Sequence, residues 1–298
     1  MSPVSIDLRC SAQAHALGLD PAGTAVPLVA SLMVELPLPW PKDVAIHPAL
    51  SAVVGIAESV EARLQAVVPD PGRADRGETA MVLHRRPSGP FTIYERLASV
   101  STDGDLAGQA RALVAGGAQT ASERDVLVCS HGARDRCCGS LGTALVANAG
   151  THDGVRLWRT SHLGGHRFAP TALLLPSGTA WAWLDESLLA AVVDRSVPPA
   201  QLRQYYRGST AMDHPALQML EADAFARVGW AWLDHTRAGS VAADGEDRWR
   251  VSVESSAGTW SGVVERLGTS RQPVCGSAVP DPFKQDDLLR LIEVVESD

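Results

Sequence analysis

Two cysteines and two histidines in the middle of the chain have the types and the spacing of a metal site. They are Cys129, Cys138, His162 and His166, all within the segment 126–169. Eight residues separate the two cysteines, and three separate the two histidines in the order His-Leu-Gly-Gly-His. Thiolates and imidazoles are the ligands that zinc and iron–sulfur centres take in proteins. The four side chains therefore predict one metal centre.

The elements around these residues should bring them to one place. An apolar strand at 126–130 carries Cys129, and a strand with alternating apolar and polar residues at 155–160 leads to His162. A helix rich in small residues is predicted at 139–149, directly after the second cysteine. Two strand ends and one helix start can meet at a single point, so this order favours a shared centre.

Two kinds of metal centre fit this donor set. Two thiolates and two imidazoles can bind a tetrahedral zinc ion, or a 2Fe-2S cluster whose irons are held by thiolates on one side and imidazoles on the other. Zinc sites usually bring paired cysteines from one tight turn, at a spacing of about two to four residues. The wider spacing here suits a loop around a larger cluster. The chemistry therefore favours the 2Fe-2S cluster and leaves zinc open.

The two motifs resemble those of the sucrase/ferredoxin-like family, which carries Cys-x-His-x-x-Arg-Asp-x-x-Cys-Gly and then His-x-x-x-His. Residues 9–11 and 20–25 also resemble the family's opening. The resemblance implies a thioredoxin-like ferredoxin with a bis-histidinyl 2Fe-2S cluster that transfers single electrons. It assigns the second thiolate to the cysteine before the glycine, although Cys137 adds an extra thiol beside it. The matching residues are Cys129, His131, Arg134, Asp135, Cys138, Gly139, His162 and His166.

Residues near the predicted ligands could tune the centre. Hydrogen bonds and positive charge close to the sulfurs raise the potential of a cluster. Alternatively, an Arg–Asp pair only holds the loop, and Arg167 is an ordinary surface arginine. Gly164 and Gly165 give the histidine segment access to positive φ. The residues predicted to surround the ligands are His131, Arg134, Asp135, Arg136, Gly139 and Arg167.

The composition argues against several classes of protein. The 298 residues carry a net charge of −8 and no run of basic residues, so a nucleic-acid partner is not expected. No apolar run reaches the roughly 18 residues of a membrane span, and the first residues lack the pattern of a signal peptide. The five cysteines are an odd number and do not suggest a disulfide framework. We therefore expect a cytoplasmic protein without a membrane partner, in which Cys10 and Cys275 are buried structural thiols or, for Cys10, a thiol near the cluster.

The pattern of apolar residues predicts an α/β fold, with a thioredoxin-like ferredoxin unit joined to a second α/β unit. We divide the chain into an N-terminal α/β region at 1–119, interpreted as a degenerate thioredoxin-like unit, the ferredoxin unit at 120–206, and a helical and β-hairpin extension at 207–298. Predicted strands are 28–36, 81–84, 92–97, 126–130, 155–160, 171–175, 180–184, 249–253 and 259–267. Predicted helices are 11–17, 48–67, 105–114, 139–149, 188–194, 199–206, 215–232 and 286–295.

Two other functions could use the same residues. A zinc-stabilised binding or scaffold protein would use the same four ligands. A thiol–disulfide oxidoreductase would use the adjacent Cys137 and Cys138, although such enzymes normally carry Cys-x-x-Cys. The sequence contains no phosphate-binding loop, GxGxxG, nucleophile elbow or HExxH motif. We therefore favour a redox carrier that serves a partner protein over an enzyme with its own substrate.

Overall fold

The computed structural model describes residues 9–116, 123–275, 281 and 284–297. Over these residues the chain forms eight α-helices and thirteen strands. The helices are α1 (Cys10–Ala16), α2 (Ser51–Glu58), α3 (Pro71–Ala74), α4 (Leu106–Val114), α5 (Thr143–Asn148), α6 (Glu186–Val193), α7 (Pro199–Leu202) and α8 (Pro215–Val228). The strands are β1 (Ala30–Glu35), β2 (Ala62–Val67), β3 (Thr79–Arg85), β4 (Glu95–Ser101), β5 (Arg124–Cys129), β6 (Val155–Thr160), β7 (Ala172–Leu175), β8 (Thr179–Trp181), β9 (Tyr206–Ser209), β10 (Arg237–Ala243), β11 (Arg248–Ser255), β12 (Gly258–Arg271) and β13 (Gln285–Ser297).

The larger sheet has nine strands, in the order β4-β3-β1-β2-β6-β5-β7-β8-β9. In its first half β1 is parallel to β2 and antiparallel to β3, which pairs with β4. In its second half β5 is parallel to β6 and antiparallel to β7, which pairs with β8. The two halves therefore repeat one strand order, and they meet where Val67 of β2 opposes Thr160 of β6. The predicted α/β fold of two joined units is confirmed.

Helical crossovers explain how each half forms its parallel pair. Parallel neighbours need a long connection, because a tight hairpin can only join antiparallel strands. Helix α2 lies between β1 and β2 in the chain, and α5 lies between β5 and β6. Strand β1 is buried along its whole length, and β5 is buried from its second residue, as expected for strands covered on both faces.

The C-terminal part adds a four-stranded antiparallel sheet in the order β10-β11-β12-β13. Helix α8 packs on β9 of the large sheet and on strands of the small sheet, and nine of its 14 residues are buried. The helix ends at Val228, because Gly229 adopts a φ of 85°; the prediction of a helix to residue 232 was too long. The division of the chain into three regions stays a prediction, and β9 crosses its boundary at residue 206.

One predicted helix is too long and another is wrong. In the segment 48–67, Pro48–Leu50 forms a 3-10 turn and Ser51–Glu58 an α-helix; Glu61 then takes a φ of 51°, and the following residues alternate apolar and polar as strand β2. The predicted closing helix at 286–295 is strand β13, which pairs with β12 along most of its length. The spacing of the leucines in this segment fits both a helix and a strand, but the β-branched residues after them favour a strand. The other predicted elements are present with shifted ends. Among the described residues, no helix has both the length and the apolar composition needed to cross a membrane.

Candidate metal centre

The strand ends of the second unit place the first cysteine and the first histidine together. Cys129 is the last residue of β5 and pairs with Thr160, the last residue of the parallel β6. Because neighbouring parallel strands end at the same edge of the sheet, His162, two residues after β6, lies beside Cys129. The prediction that both residues leave the sheet at strand ends is confirmed.

The second cysteine is brought to the same edge by a close approach of two backbones. Cys138 begins a short π-helical turn, Cys138–Gly142, that leads into α5. An alanine at Gly142 would overlap the carbonyl oxygen of Cys129 and would place its Cβ 2.9 Å from the carbonyl carbon. Gly139 is similarly close to Gly132, since a Cβ there would lie 2.5 Å from the Cα of Gly132. The absence of side chains at these positions lets the turn lie directly on the end of β5.

Three of the four predicted ligands converge. The donor atoms of Cys129, Cys138 and His162 all lie within 4.8 Å of one another. The Nδ1 atom of His162 is 3.7 Å from the sulfur of Cys129 and 4.0 Å from that of Cys138. Both cysteines are fully buried, whereas His162 is partly exposed. The arrangement can hold a metal ion or cluster with the imidazole on its solvent side.

A hydrogen bond joins the two thiols of this group. A hydrogen bond from Cys138 lowers the pKa of Cys129 well below its usual range, and the backbone N–H of His131 also donates to this thiolate. The same hydrogen bond, together with burial, raises the pKa of Cys138. The pairing therefore favours the thiolate at Cys129, the form that binds metals.

Two arginines from distant parts of the chain support the histidine loop (residues 161–166). Arg63 of β2 donates to the carbonyl oxygens of His162 and Leu163. Arg207 of β9 donates to the carbonyl of Gly164, and burial lowers the pKa of this guanidinium to about 9. Gly164 and Gly165 adopt φ values of 87° and 70°, so this loop uses the positive φ that the sequence predicted. Sequence reasoning missed both arginines, since neither lies near a ligand in the chain.

The fourth predicted ligand, His166, lies at the edge of the group. Its ring centroid is 6.4 Å from that of His162. Its Nδ1 atom is 3.2 Å from a carboxylate oxygen of Asp135 and 3.2 Å from the sulfur of Cys10. Burial lowers the pKa of His166, which favours the neutral imidazole. The ligand role of His166 stays a prediction.

The residues predicted to surround the ligands have different positions. His131 is buried and donates from Nε2 to the carbonyl of Pro41 at 3.0 Å. Asp135 accepts hydrogen bonds from the N–H groups of Cys137 and Cys138 at 2.8 and 3.4 Å, so it holds the cysteine loop (residues 130–138). Gly139 lies in the close contact described above. The side chains of Arg134 and Arg136 are exposed.

Arg167 is not a surface residue, and the prediction of an ordinary surface arginine is wrong. Its guanidinium is buried, pairs with Asp286 of β13 at 2.6 Å, and lies 4.5 Å from the ring centre of Phe168. This ion pair ties the histidine loop to the C-terminal strand. The sequence could not show the pairing, because 286–295 was predicted as a helix with no partner near this loop.

Cys137 does not belong to the group that contains Cys138. Its sulfur lies 2.9 Å from that of Cys275 and 3.5 Å from that of Cys10. The two adjacent cysteines therefore face two different sets of donors. This arrangement supports Cys138, and not Cys137, as the partner of Cys129.

A cavity of about 380 Å³ opens beside the group. His162 and His131 form part of its wall, together with the basic side chains of Lys42, Arg63 and Arg134. The imidazole side of the group is therefore reachable from solvent, while its thiolate side is enclosed.

The donor set fits a soft metal centre. Thiolate and imidazole ligands together suit zinc and iron–sulfur clusters. The two residues after Cys129 also carry buried polar atoms, Ser130 Oγ and His131 Nδ1, that find no hydrogen-bond partner in the described part of the chain. Buried polar atoms are rarely left without a hydrogen-bond partner. These two atoms lie beside the metal ligands, so a group bound there could supply the partner.

Comparison with known proteins identifies the family. The family model described as "Sucrase/ferredoxin-like" matches residues 21–208, which is more than half of the 298 residues. The matched region contains all three converging donors and His166. Neither a comparison with curated proteins nor one with solved structures gave a match. The chain belongs to the sucrase/ferredoxin-like family.

Proposed function

We propose that this protein transfers single electrons through a 2Fe-2S cluster, with Cys129 and Cys138 on one iron and His162 and His166 on the other. The observation that carries the proposal is the convergence of Cys129, Cys138 and His162 within 4.8 Å, in a chain of a ferredoxin-like family. The cluster, when bound, supplies a site that takes up and releases one electron. The chain supplies the ligands, the enclosure and the charge around them.

Asp135 supports the assignment of His166. A histidine that binds a metal usually donates its other ring N–H to a carboxylate or carbonyl group. The distance of 3.2 Å between His166 Nδ1 and Asp135 fits such a hydrogen bond. It would fix the tautomer and leave Nε2 as the nitrogen available for iron.

The surroundings suit a redox centre that exchanges electrons on one side. The cysteines have no exposed surface, so solvent is kept from the thiolate side. His162 borders the cavity, whose wall carries three basic and two acidic side chains, and we place the docking site of a redox partner protein there. All five cysteines are free, which favours the reducing environment of the cytoplasm as the place of this exchange.

A zinc-stabilised scaffold is the second candidate, and one observation favours it. Zinc ligated by sulfur and nitrogen at its usual bond lengths puts these atoms about 3.6 Å apart. The observed distances of 3.7 and 4.0 Å from His162 Nδ1 to the two sulfurs are close to that value. A thiol–disulfide oxidoreductase finds less support, because Cys137 and Cys138 face different groups.

Redox titration at several pH values tests the proposal. We expect a reversible one-electron step with a midpoint above the roughly −400 mV of an all-cysteine ferredoxin, because neutral imidazoles replace two thiolates. Reduction favours retention of the second imidazole proton, so each electron can bring one proton with it. The midpoint should therefore fall with rising pH by up to about 59 mV per unit. His166→Cys should lower the midpoint and flatten this slope if the cluster still assembles. An intact cluster with a pH-independent midpoint between about pH 6 and 10 would contradict histidine ligation.

A further inference from the structure

Three cysteines from distant parts of the chain meet in a second group of donors. Cys10 begins α1, Cys137 lies in the cysteine loop, and Cys275 follows β12. The sulfur–sulfur distances are 3.5 Å between Cys10 and Cys137, 2.9 Å between Cys137 and Cys275, and 3.3 Å between Cys275 and Cys10. Cys10 and Cys137 have no exposed surface, and Cys275 is partly buried. The three sulfurs thus form a compact, nearly equilateral triangle.

Asp135 completes this group as a fourth donor. Its Oδ1 atom lies 3.8 Å from the sulfur of Cys275, and the four donor atoms all lie within 4.8 Å of one another. The carboxylate is held in place by the N–H of Cys137 at 2.8 Å. The group therefore has the number of donors that a closed tetrahedral site requires.

Backbone donors stabilise negative charge on these sulfurs. The N–H of Cys10 donates to the sulfur of Cys275 at 3.5 Å, and the N–H of Ser11 donates to Cys137. A buried group of thiolates and a carboxylate is costly without a cation to balance its charge, so a bound metal ion would stabilise these donors in their ionised form.

The geometry favours one metal ion over a disulfide. A disulfide joins two sulfurs at about 2.05 Å and would leave the third thiol without a role. Zinc–sulfur bonds of about 2.3 Å in tetrahedral geometry place sulfurs about 3.8 Å apart, and all three edges of the triangle can open to this value with small side-chain rotations. Thiolates select zinc and copper(I), but a carboxylate ligand does not suit copper(I).

We propose that Cys10, Cys137, Cys275 and Asp135 bind a structural zinc ion. The site lies beside the 2Fe-2S ligands but shares none of them. It ties the start of the described chain and the segment after β12 to the cysteine loop, across sequence separations of 127 and 138 residues. Asp135 joins the two centres, because its other oxygen faces His166. The zinc ion fixes the loop that carries Cys138.

Metal analysis of purified full-length protein tests the site. Wild type, Cys275→Ser and the matched control Cys129→Ser are produced in medium supplemented with iron and zinc, and both metals are measured per chain. We expect about one zinc ion in wild type and in Cys129→Ser, and loss of at least about nine tenths of it in Cys275→Ser. Iron should follow the opposite pattern, with loss in Cys129→Ser and retention in Cys275→Ser. If the first centre held zinc in place of the cluster, wild type would carry no iron and about two zinc ions, and Cys129→Ser and Cys275→Ser would each lose one of them. That result would contradict the electron-transfer proposal and still support this site.

A second measurement keeps the test valid if Cys275→Ser does not fold. Wild type is produced in cobalt-supplemented, zinc-depleted medium, and the visible spectrum is searched for the bands of tetrahedral cobalt(II) with thiolate ligands. Anomalous scattering at the cobalt edge should then place the ion among Cys10, Cys137 and Cys275. Wild type without zinc or cobalt, a zinc ion that is lost from Cys129→Ser only, or a Cys137–Cys275 disulfide found by mass spectrometry would each overturn the proposal.

Discussion

Gly142→Ala should loosen the metal centre without changing any ligand. The Cβ of alanine would overlap the carbonyl oxygen of Cys129 and lie 2.9 Å from its carbonyl carbon, where ordinary contact begins at 3.4 Å. Since both partners are backbone, no side chain can turn away. The turn that carries Cys138 must therefore move from the end of β5 by at least about half an ångström, which is the tolerance of a metal site.

The size of the effect follows from the cost of overpacking. Forcing an extra carbon into a close-packed contact costs roughly 1–3 kcal/mol. If this cost falls on the metal-bound state, the affinity for the metal drops by roughly five- to 150-fold, at about 1.4 kcal/mol per factor of ten. If it falls on the fold, the melting temperature drops by several degrees.

Gly150→Ala is the matched control for this change. Gly150 is exposed, lies just beyond α5, and has open space where a Cβ would be. Both variants are purified under nitrogen, their metal content is measured, and the metal is then titrated with a competing chelator while circular dichroism records thermal unfolding. Equal metal affinity and equal melting temperature in the two variants would refute the role assigned to the backbone contact at Gly142.

Three further predictions follow from the geometry. Cys138→Ser should abolish iron binding while Cys137→Ser should retain it, which iron analysis of both variants checks; the reverse result would shift the ligand by one residue. Arg63→Met should weaken metal binding by about ten- to 100-fold, because it removes the hydrogen bonds that hold the histidine loop. The control variant Arg136→Met, at an exposed position, should bind metal as wild type does. Burial alone would raise the pKa of Asp125, but hydrogen bonds from neighbouring side chains hold it at about 2, below the usual 3.8. The resulting stabilisation of about 2 kcal/mol is present above pH 4 and is lost as the pH falls through 2, so acid unfolding of wild type should be steeper there than that of Asp125→Asn.

The core of the candidate site could be predicted from local sequence. Cys129 and His162 each follow a short apolar strand, and the ends of parallel neighbours meet by geometry. The glycine after Cys138 marked the turn into a helix. The family motifs covered these same positions, so two independent lines pointed to the same three donors.

The parts that were missed depend on contacts between distant segments. Arg63 and Arg207 reach the histidine loop from β2 and β9, and no local pattern connects them to it. Cys10 and Cys275 are 265 residues apart, so their meeting with Cys137 could not be read from spacing. The strand at Gln285–Ser297 was mistaken for a helix, because its leucines and Ile292 recur at a spacing that fits both a helix and a strand.

The iron and sulfide content of protein purified without oxygen tests the central claim most directly. Iron–sulfur charge-transfer absorption depends on thiolate ligands, which Cys129 and Cys138 supply in this account. We predict a red-brown protein with about two irons and two acid-labile sulfides per chain, and a Cys129→Ser variant that lacks both. A colourless wild type, with zinc bound by Cys129 and Cys138 even after anaerobic reconstitution with iron and sulfide, would contradict it.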